Sequence, residues 1–167
     1  MEIDGVYHVY DRGNDRRTIF RTPEEFDFFV EQIRNARAIT GVRVLAFCLM
    51  PNHWHLLVQP RLPRDLSRFV AWLKQVHTRH FRAAGGTLGE GHLYQARFRS
   101  RLLESDDAIV ACCRYVERNA LSAGMVTRAE DWRWGSLWHR MRPDLNGLID
   151  PMPVHLPEEW VGIVNAE

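Results

Sequence analysis

Along the chain, stretches in which apolar residues recur every second position alternate with stretches in which they recur at 3.6-residue spacing, and this order predicts the elements. Gly5 to Gly13, GVYHVYDRG, reads as a first strand stopped by glycine. RTPEEFDFFVEQIRNARAITG follows as a helix, with Thr22 as N-cap, Pro23 in the first helical position, Glu25 closing a capping box and Gly41 as the stop. Its apolar residues Phe26, Phe29, Val30 and Ile33 share one face. VRVLAFCLM and HWHLLVQ, joined by Pro51-Asn52, predict a hairpin. A second helix is expected from about Asp65 to Ala84, with Leu66, Phe69, Val70, Leu73 and Val76 as its buried stripe and AAGG as its end. LYQARFRSRLLE reads as a fourth strand. A third helix begins after Ser105 and ends near Gly124.

Strand, helix, strand, strand, helix, strand is the split β-α-β order. It predicts an α+β, ferredoxin-like fold: an antiparallel sheet with two helices on one face, to which the third helix is an addition. Residues 1–140 are expected to form one domain. Trp132, Trp134 and Trp138 read as a docked cover, and residues 141–167, with Pro143, Pro151, Pro153 and Pro157, as an extended tail.

At 167 residues and 46% hydrophobic, the chain can bury a sizeable core. Its three cysteines, Cys48, Cys112 and Cys113, form no C-x-x-C pair and lie in apolar contexts, which points to a reducing, cytoplasmic setting. No apolar run reaches membrane-spanning length. The net charge is only +1, so composition by itself indicates no nucleic-acid partner. Of the 22 basic residues, however, all but Lys74 are arginine. Guanidinium binds phosphate in a bidentate way and stacks on bases, although GC-rich coding would produce the same bias.

The hairpin strand HWHLLV breaks both patterns expected of a strand, since it is neither apolar throughout nor alternating with arbitrary polar residues. Alternation puts His53, His55 and Leu57 on one face and Trp54, Leu56 and Val58 on the other. The apolar set can pack under helices, and two imidazoles are left side by side on the open face. They read either as a pair able to bind one metal ion or as half-exposed surface histidines. In the third helix, AIVACCRYVERNALSAG, the residues Ile109, Cys113, Val116 and Ala120 form the core stripe. Tyr115 and Asn119 share a ridge at its flank, and alone they are compatible with an ordinary amphipathic surface. Arg97, Arg99 and Arg101 alternate along the fourth strand, either as a track for phosphates or as charge protecting a sheet edge. Arg12, Asn14, Arg16 and Arg17 surround the glycine turn of DRGNDRR, and Arg68, Lys74, Arg79, His80 and Arg82 line the second helix. His8, His77, His92, His139 and His155 receive no role.

MPNHWHLL resembles the His-hydrophobic-His motif of single-tyrosine (HUH) nucleases, and RYVERNALSAG resembles the catalytic-tyrosine helix of the REP-associated tyrosine transposases, relatives of the insertion-sequence-200-like transposases. The likeness continues through YHVYDRGNDRRTIF, GHLYQARFRS and EDWRWGSL, in the family's order over roughly residues 5–138. It departs after the tyrosine: where the family commonly has Asn-Pro-(Val/Leu)-Arg-Ala-Gly, this chain has Asn119-Ala120-Leu121-Ser122-Ala123-Gly124, without the arginine as a phosphate contact.

The resemblance implies that His53, His55 and Asn119 hold a divalent ion, Mg2+ or Mn2+, and that Tyr115 is the nucleophile. It implies cleavage and rejoining of single-stranded DNA through a 5′-phosphotyrosine. The implied substrate carries hairpins of the repetitive extragenic palindrome type, with the DRGNDRR turn helping to read a single-stranded sequence beside the hairpin. A monomer is expected rather than a dimer. The alternative is a non-catalytic or domesticated nucleic-acid-binding module, since this fold plan also serves RNA binders.

Overall fold

The computed structural model describes residues 5–85, 92–145 and 147–167. Gly86, in the AAGG stop, and Gly91, which opens GHLYQARFRS, lie outside the described residues. Four strands, β1 (Val6–Arg12), β2 (Arg43–Met50), β3 (His53–Gln59) and β4 (Arg99–Leu103), form one sheet in the order β2-β3-β1-β4, with every neighbouring pair antiparallel. Helices α1 (Pro23–Thr40) and α2 (Pro63–Ala83) pack together on one face. This is the ferredoxin-like arrangement the sequence predicts. Helix α3 (Asp106–Ser122) crosses the other face over β2 and β3.

Local chemistry fixes most of the boundaries. Thr22 caps α1 by accepting from the Glu25 N–H at 3.3 Å, and Gly41 ends it in the left-handed conformation, φ 72°. The capping box takes a different form from the one predicted: the Glu25 carboxylate accepts from the Arg21 N–H at 2.6 Å and pairs with the Arg21 guanidinium. Helix α2 starts two residues before Asp65, because Pro63 is already set for the first helical turn and the Asp65 carboxylate accepts from the Leu62 N–H at 3.2 Å. Ser105 caps α3 through the Ala108 N–H at 3.1 Å.

The fourth strand is shorter than expected, and Arg97 lies before it. Its predicted first half is used otherwise. Tyr94 turns its side chain into the core beneath the sheet, where its hydroxyl accepts from Trp54 Nε1 at 3.0 Å and bonds to His77 Nδ1. His77 Nε2 in turn donates to the Ile19 carbonyl at 2.9 Å. Because a carbonyl can only accept, His77 carries its proton on Nε2, and every polar atom in this buried chain is satisfied. Burial lowers the His77 pKa to about 4, which keeps the ring neutral.

The remainder of the chain closes the free edge of β2. Leu49 donates to the Trp134 carbonyl at 2.9 Å and accepts from Trp132 Nε1 at 2.9 Å, while Val44 exchanges bonds with Asp150. Helix α4 (Ser136–Arg140) follows this cover. In the segment read as an extended tail, Trp160–Asn165 instead forms a helix, α5, docked on α3 with Trp160 and Val164 buried. Arg114 and Arg118 of α3 donate to its C-terminal carbonyls, of Ile163 at 2.8 Å and Val164 at 2.7 Å. Cys48, Cys112 and Cys113 are buried and unpaired. Among the described residues no helix is long and apolar enough to cross a membrane.

The Glu117 carboxylate, with a side chain 0% exposed, joins these pieces. It accepts from Arg140 Nε at 2.6 Å, Ser136 Oγ at 2.6 Å and Trp160 Nε1 at 2.7 Å, and Arg140 reaches on to the Leu45 carbonyl of β2. Removing one partner of a buried ion pair strands the other charge, at a cost of about 3–5 kcal/mol. Arg140→Met is therefore expected to lower the unfolding free energy in urea by about that amount; a loss under about 1 kcal/mol would show that the network contributes little.

Candidate active site

Strand β3 presents its two faces to different tasks. Trp54 points down to Phe29 of α1 and to Tyr94, so His53 and His55 must point up, toward α3. Antiparallel pairing brings further residues onto the same face: Tyr10 lies opposite His55, Arg12 opposite His53, Arg99 opposite Tyr10, and Arg101 opposite His8. Sequence reasoning left His8 without a role and did not single out Tyr10. Both share parity with Arg12 in VYHVYDR, and that was the available signal.

The histidines form a compact group. The rings of His53 and His55 are 5.1 Å apart and nearly perpendicular. His55, only 6% exposed, stacks on His8, with His8 Nε2 2.9 Å from His55 Nδ1. His53 Nδ1 bonds to Asn52 Oδ1 at 2.7 Å, and Asn119 of α3 lies near enough to the same ring to act on its pKa. Tyr115, four residues before Asn119 on that helix, sets its ring edge-on to His55 at 5.5 Å and to His8 at 5.9 Å, yet remains 54% exposed. Two buried imidazoles, of His8 and His55, thus carry an accessible phenol.

Burial is the main cause of each histidine shift. It lowers the His55 pKa to about 3, with His8, His53 and Arg12 adding to the effect. It lowers His8 to about 4, helped by Arg101. His53 is lowered as well, against the opposing influence of the Asn119 amide nearby. All three rings are therefore neutral at pH 7, the form that has a lone pair to offer a metal. Among the described residues, no three His, Cys, Asp or Glu side chains converge in a closed cage. Two imidazoles with the Asn119 amide fit a divalent cation that keeps positions open for water or phosphate.

An open groove of about 1690 Å³ runs across this face between β4 and the start of α3, with Tyr10, Arg12, His53, His55 and Tyr115 along it. Arg97, Arg99 and Arg101 line the same groove, so Arg97 joins the row even though it precedes the strand. Arg16 is exposed on the turn after β1 whereas Arg17 is half-buried with its Nε shielded, and Asp15 and Arg16 both adopt left-handed backbone, φ 53° and 56°. Gly13 is required at that turn, because a Cβ would lie 2.5 Å from the Arg17 carbonyl and 2.7 Å from Ile19. Asn14 begins the turn, its N–H held by the Leu93 carbonyl at 2.8 Å. Lys74 of α2 pairs with Asp11 at 2.7 Å and donates to the Ala96 carbonyl.

The fold has counterparts among solved structures. The chain resembles a solved REP-associated tyrosine transposase bound to a REP hairpin, with a TM-score of 0.70 over 95% of this chain and 92% of that one at 16% identity. It also resembles the structure of a Deinococcus radiodurans protein assigned as a transposase, with a TM-score of 0.51 over 70% and 90% of the two chains at 21% identity. In sequence it is 27% identical over 156 residues to a Haemophilus influenzae protein assigned as a REP-associated tyrosine transposase, covering 85% of this chain and 82% of that protein. The family described as "Transposase IS200 like" matches residues 3–119, and the chain belongs to that family.

The lowered histidine pKa values predict a pH dependence. Below about pH 6.5 the unfolded chain takes up protons that the folded one refuses, so stability is complete above that pH and declines as pH falls toward 4. In 15N NMR, His8 and His55 are expected to stay neutral at pH 5.5 while the urea midpoint drops between pH 7.5 and 5. Protonation of either ring near pH 6.5 would contradict the assignment of burial as the dominant effect.

Proposed function

We propose that the protein is a divalent-metal-dependent endonuclease and strand transferase for single-stranded DNA, acting on hairpin-forming palindromes in the cytoplasm through Tyr115. The observation that carries this reading is the placement of Tyr115, exposed at the groove, with its ring 5.5 Å from that of His55. A tyrosine on a helix flank has no structural need to stand over buried, neutral imidazoles. In this reading His53, His55 and Asn119 hold Mg2+ or Mn2+, which supplies a Lewis acid for the scissile phosphate.

The remaining roles belong to the chain. Tyr115 Oη attacks phosphorus, its proton passing to water, a P–Oη bond replaces the P–O3′ bond, and the departing O3′ takes up a proton from water. The products are a 5′-phosphotyrosine and a free 3′ hydroxyl. Since one phosphoester is exchanged for another, the step can run backward to join strands. Arg97, Arg99 and Arg101 hold backbone phosphates along the groove, and Arg12, Asn14, Arg16 and Arg17 contact the strand beside the β1 turn. The hairpin bound by the structural relative supports a similar ligand here. The meeting of His55 and Tyr115 within one chain supports action as a monomer.

The test is incubation with labelled single-stranded DNA bearing hairpins from the palindromes flanking the gene, with Mg2+ or Mn2+, followed by a denaturing gel. Wild type is expected to give a covalent adduct and Tyr115→Phe none. His53→Ala should lose cleavage by at least about 100-fold while retaining hairpin binding. An adduct formed by Tyr115→Phe, or full activity of His53→Ala, would overturn the mechanism.

A further inference from the structure

His55 is held by a neighbour that the family resemblance does not invoke. Its Nδ1 lies 2.9 Å from Nε2 of His8, with the two rings stacked 5.2 Å apart, and His8 is 7% exposed. Such a pair shares one proton in one of two ways. If His8 donates, His55 carries its own proton on Nε2 and has no lone pair toward the groove. If His55 donates through Nδ1, its Nε2 lone pair is free. A carboxylate in the place of His8 could only accept and would fix the second arrangement; a histidine permits both.

We propose that His8 is the positioning residue for His55, accepting its Nδ1 proton so that the Nε2 lone pair of His55 is presented to a divalent cation in the groove. This rests on the reading of His53 and His55 as metal ligands. His8 stands on β1 opposite Leu57, on the face shared with His55, and strand pairing fixes its distance. The second bond orients the ring as well as choosing its tautomer, and outer partners of this kind typically change metal affinity 10–100-fold. His8 acts through His55 and does not itself touch the reacting phosphate. Cation binding selects one of two proton arrangements, and ligand presentation is coupled to occupancy of the site.

The test measures the metal and the proton directly. Mn2+ binding is followed by calorimetry in wild type, His8→Ala, His8→Gln and His53→Ala, with thermal melting and metal-free hairpin binding to report the fold. His8→Ala is expected to bind Mn2+ about 10–100-fold more weakly with hairpin binding unchanged. His8→Gln, whose amide oxygen can accept the same proton, should restore most of the affinity. In 15N NMR of the wild type with Mg2+, His55 should carry its proton on Nδ1. Wild-type affinity in His8→Ala, or an Nε2–H tautomer of His55 in the Mg2+ form, overturns the role of His8 alone. Failure of the wild type to bind Mn2+ any better than His53→Ala would contradict the metal site itself and take this inference with it.

Discussion

The indole N–H of Trp54 donates to the Tyr94 hydroxyl, and the orientation of β3 depends on that buried bond and the chain through His77 to Ile19 behind it. A strand has only two ways to face. With Trp54 fixed downward among Phe29 and Tyr94, His53 and His55 have no choice but the opposite side. A slip of one residue would bury both imidazoles under the helices and expose the indole, exchanging a satisfied apolar face for polar groups without partners. The same anchor works on the far side of the groove. Tyr94 holds the segment that leads into Arg97 and β4, so one residue in the core sets both the histidine strand and the arginine row.

The second half of the site arrives on α3, and a different interaction fixes it. Glu117 lies between Tyr115 and Asn119 in sequence but faces the protein interior, where Arg140, Ser136 and Trp160 hold its carboxylate. Arg114 and Arg118 clasp the end of α5 on the same helix. The helix is thus tied by its inner side to the β2 edge and to α5, leaving Tyr115 on the flank that meets His55 and His8, where it stays accessible. Rigidity below and exposure above suit the role proposed for Tyr115.

The sheet, both packing helices and the tyrosine helix were legible because alternation and 3.6-residue spacing record which side of each element is buried. His53 and His55 stand out as odd residues in an otherwise regular strand, whereas Tyr115, alone an ordinary helix-flank residue, is singled out only by its likeness to a family. His8 and Tyr10 were not found, because a strand pairing has to be known before residues on two strands can be placed on one face. The first half of the predicted fourth strand failed for a related reason. LYQARF alternates well enough, but Tyr94 is committed to Trp54 and His77, and long-range hydrogen bonds override local pattern. Helix α5 is short and lies in a proline-bearing segment; its docking depends on arginine side chains of α3 that the sequence presents simply as helix surface.

The central claim is that a single tyrosine, held over two buried imidazoles, takes the DNA strand. It is tested most directly by trapping the protein on hairpin DNA with Mn2+, digesting the adduct and locating the nucleotide by mass spectrometry. The account predicts a nucleotide joined by its 5′ phosphate to the peptide that contains Tyr115. Attachment to Tyr10, the other tyrosine along the groove, or linkage through the 3′ end would contradict it.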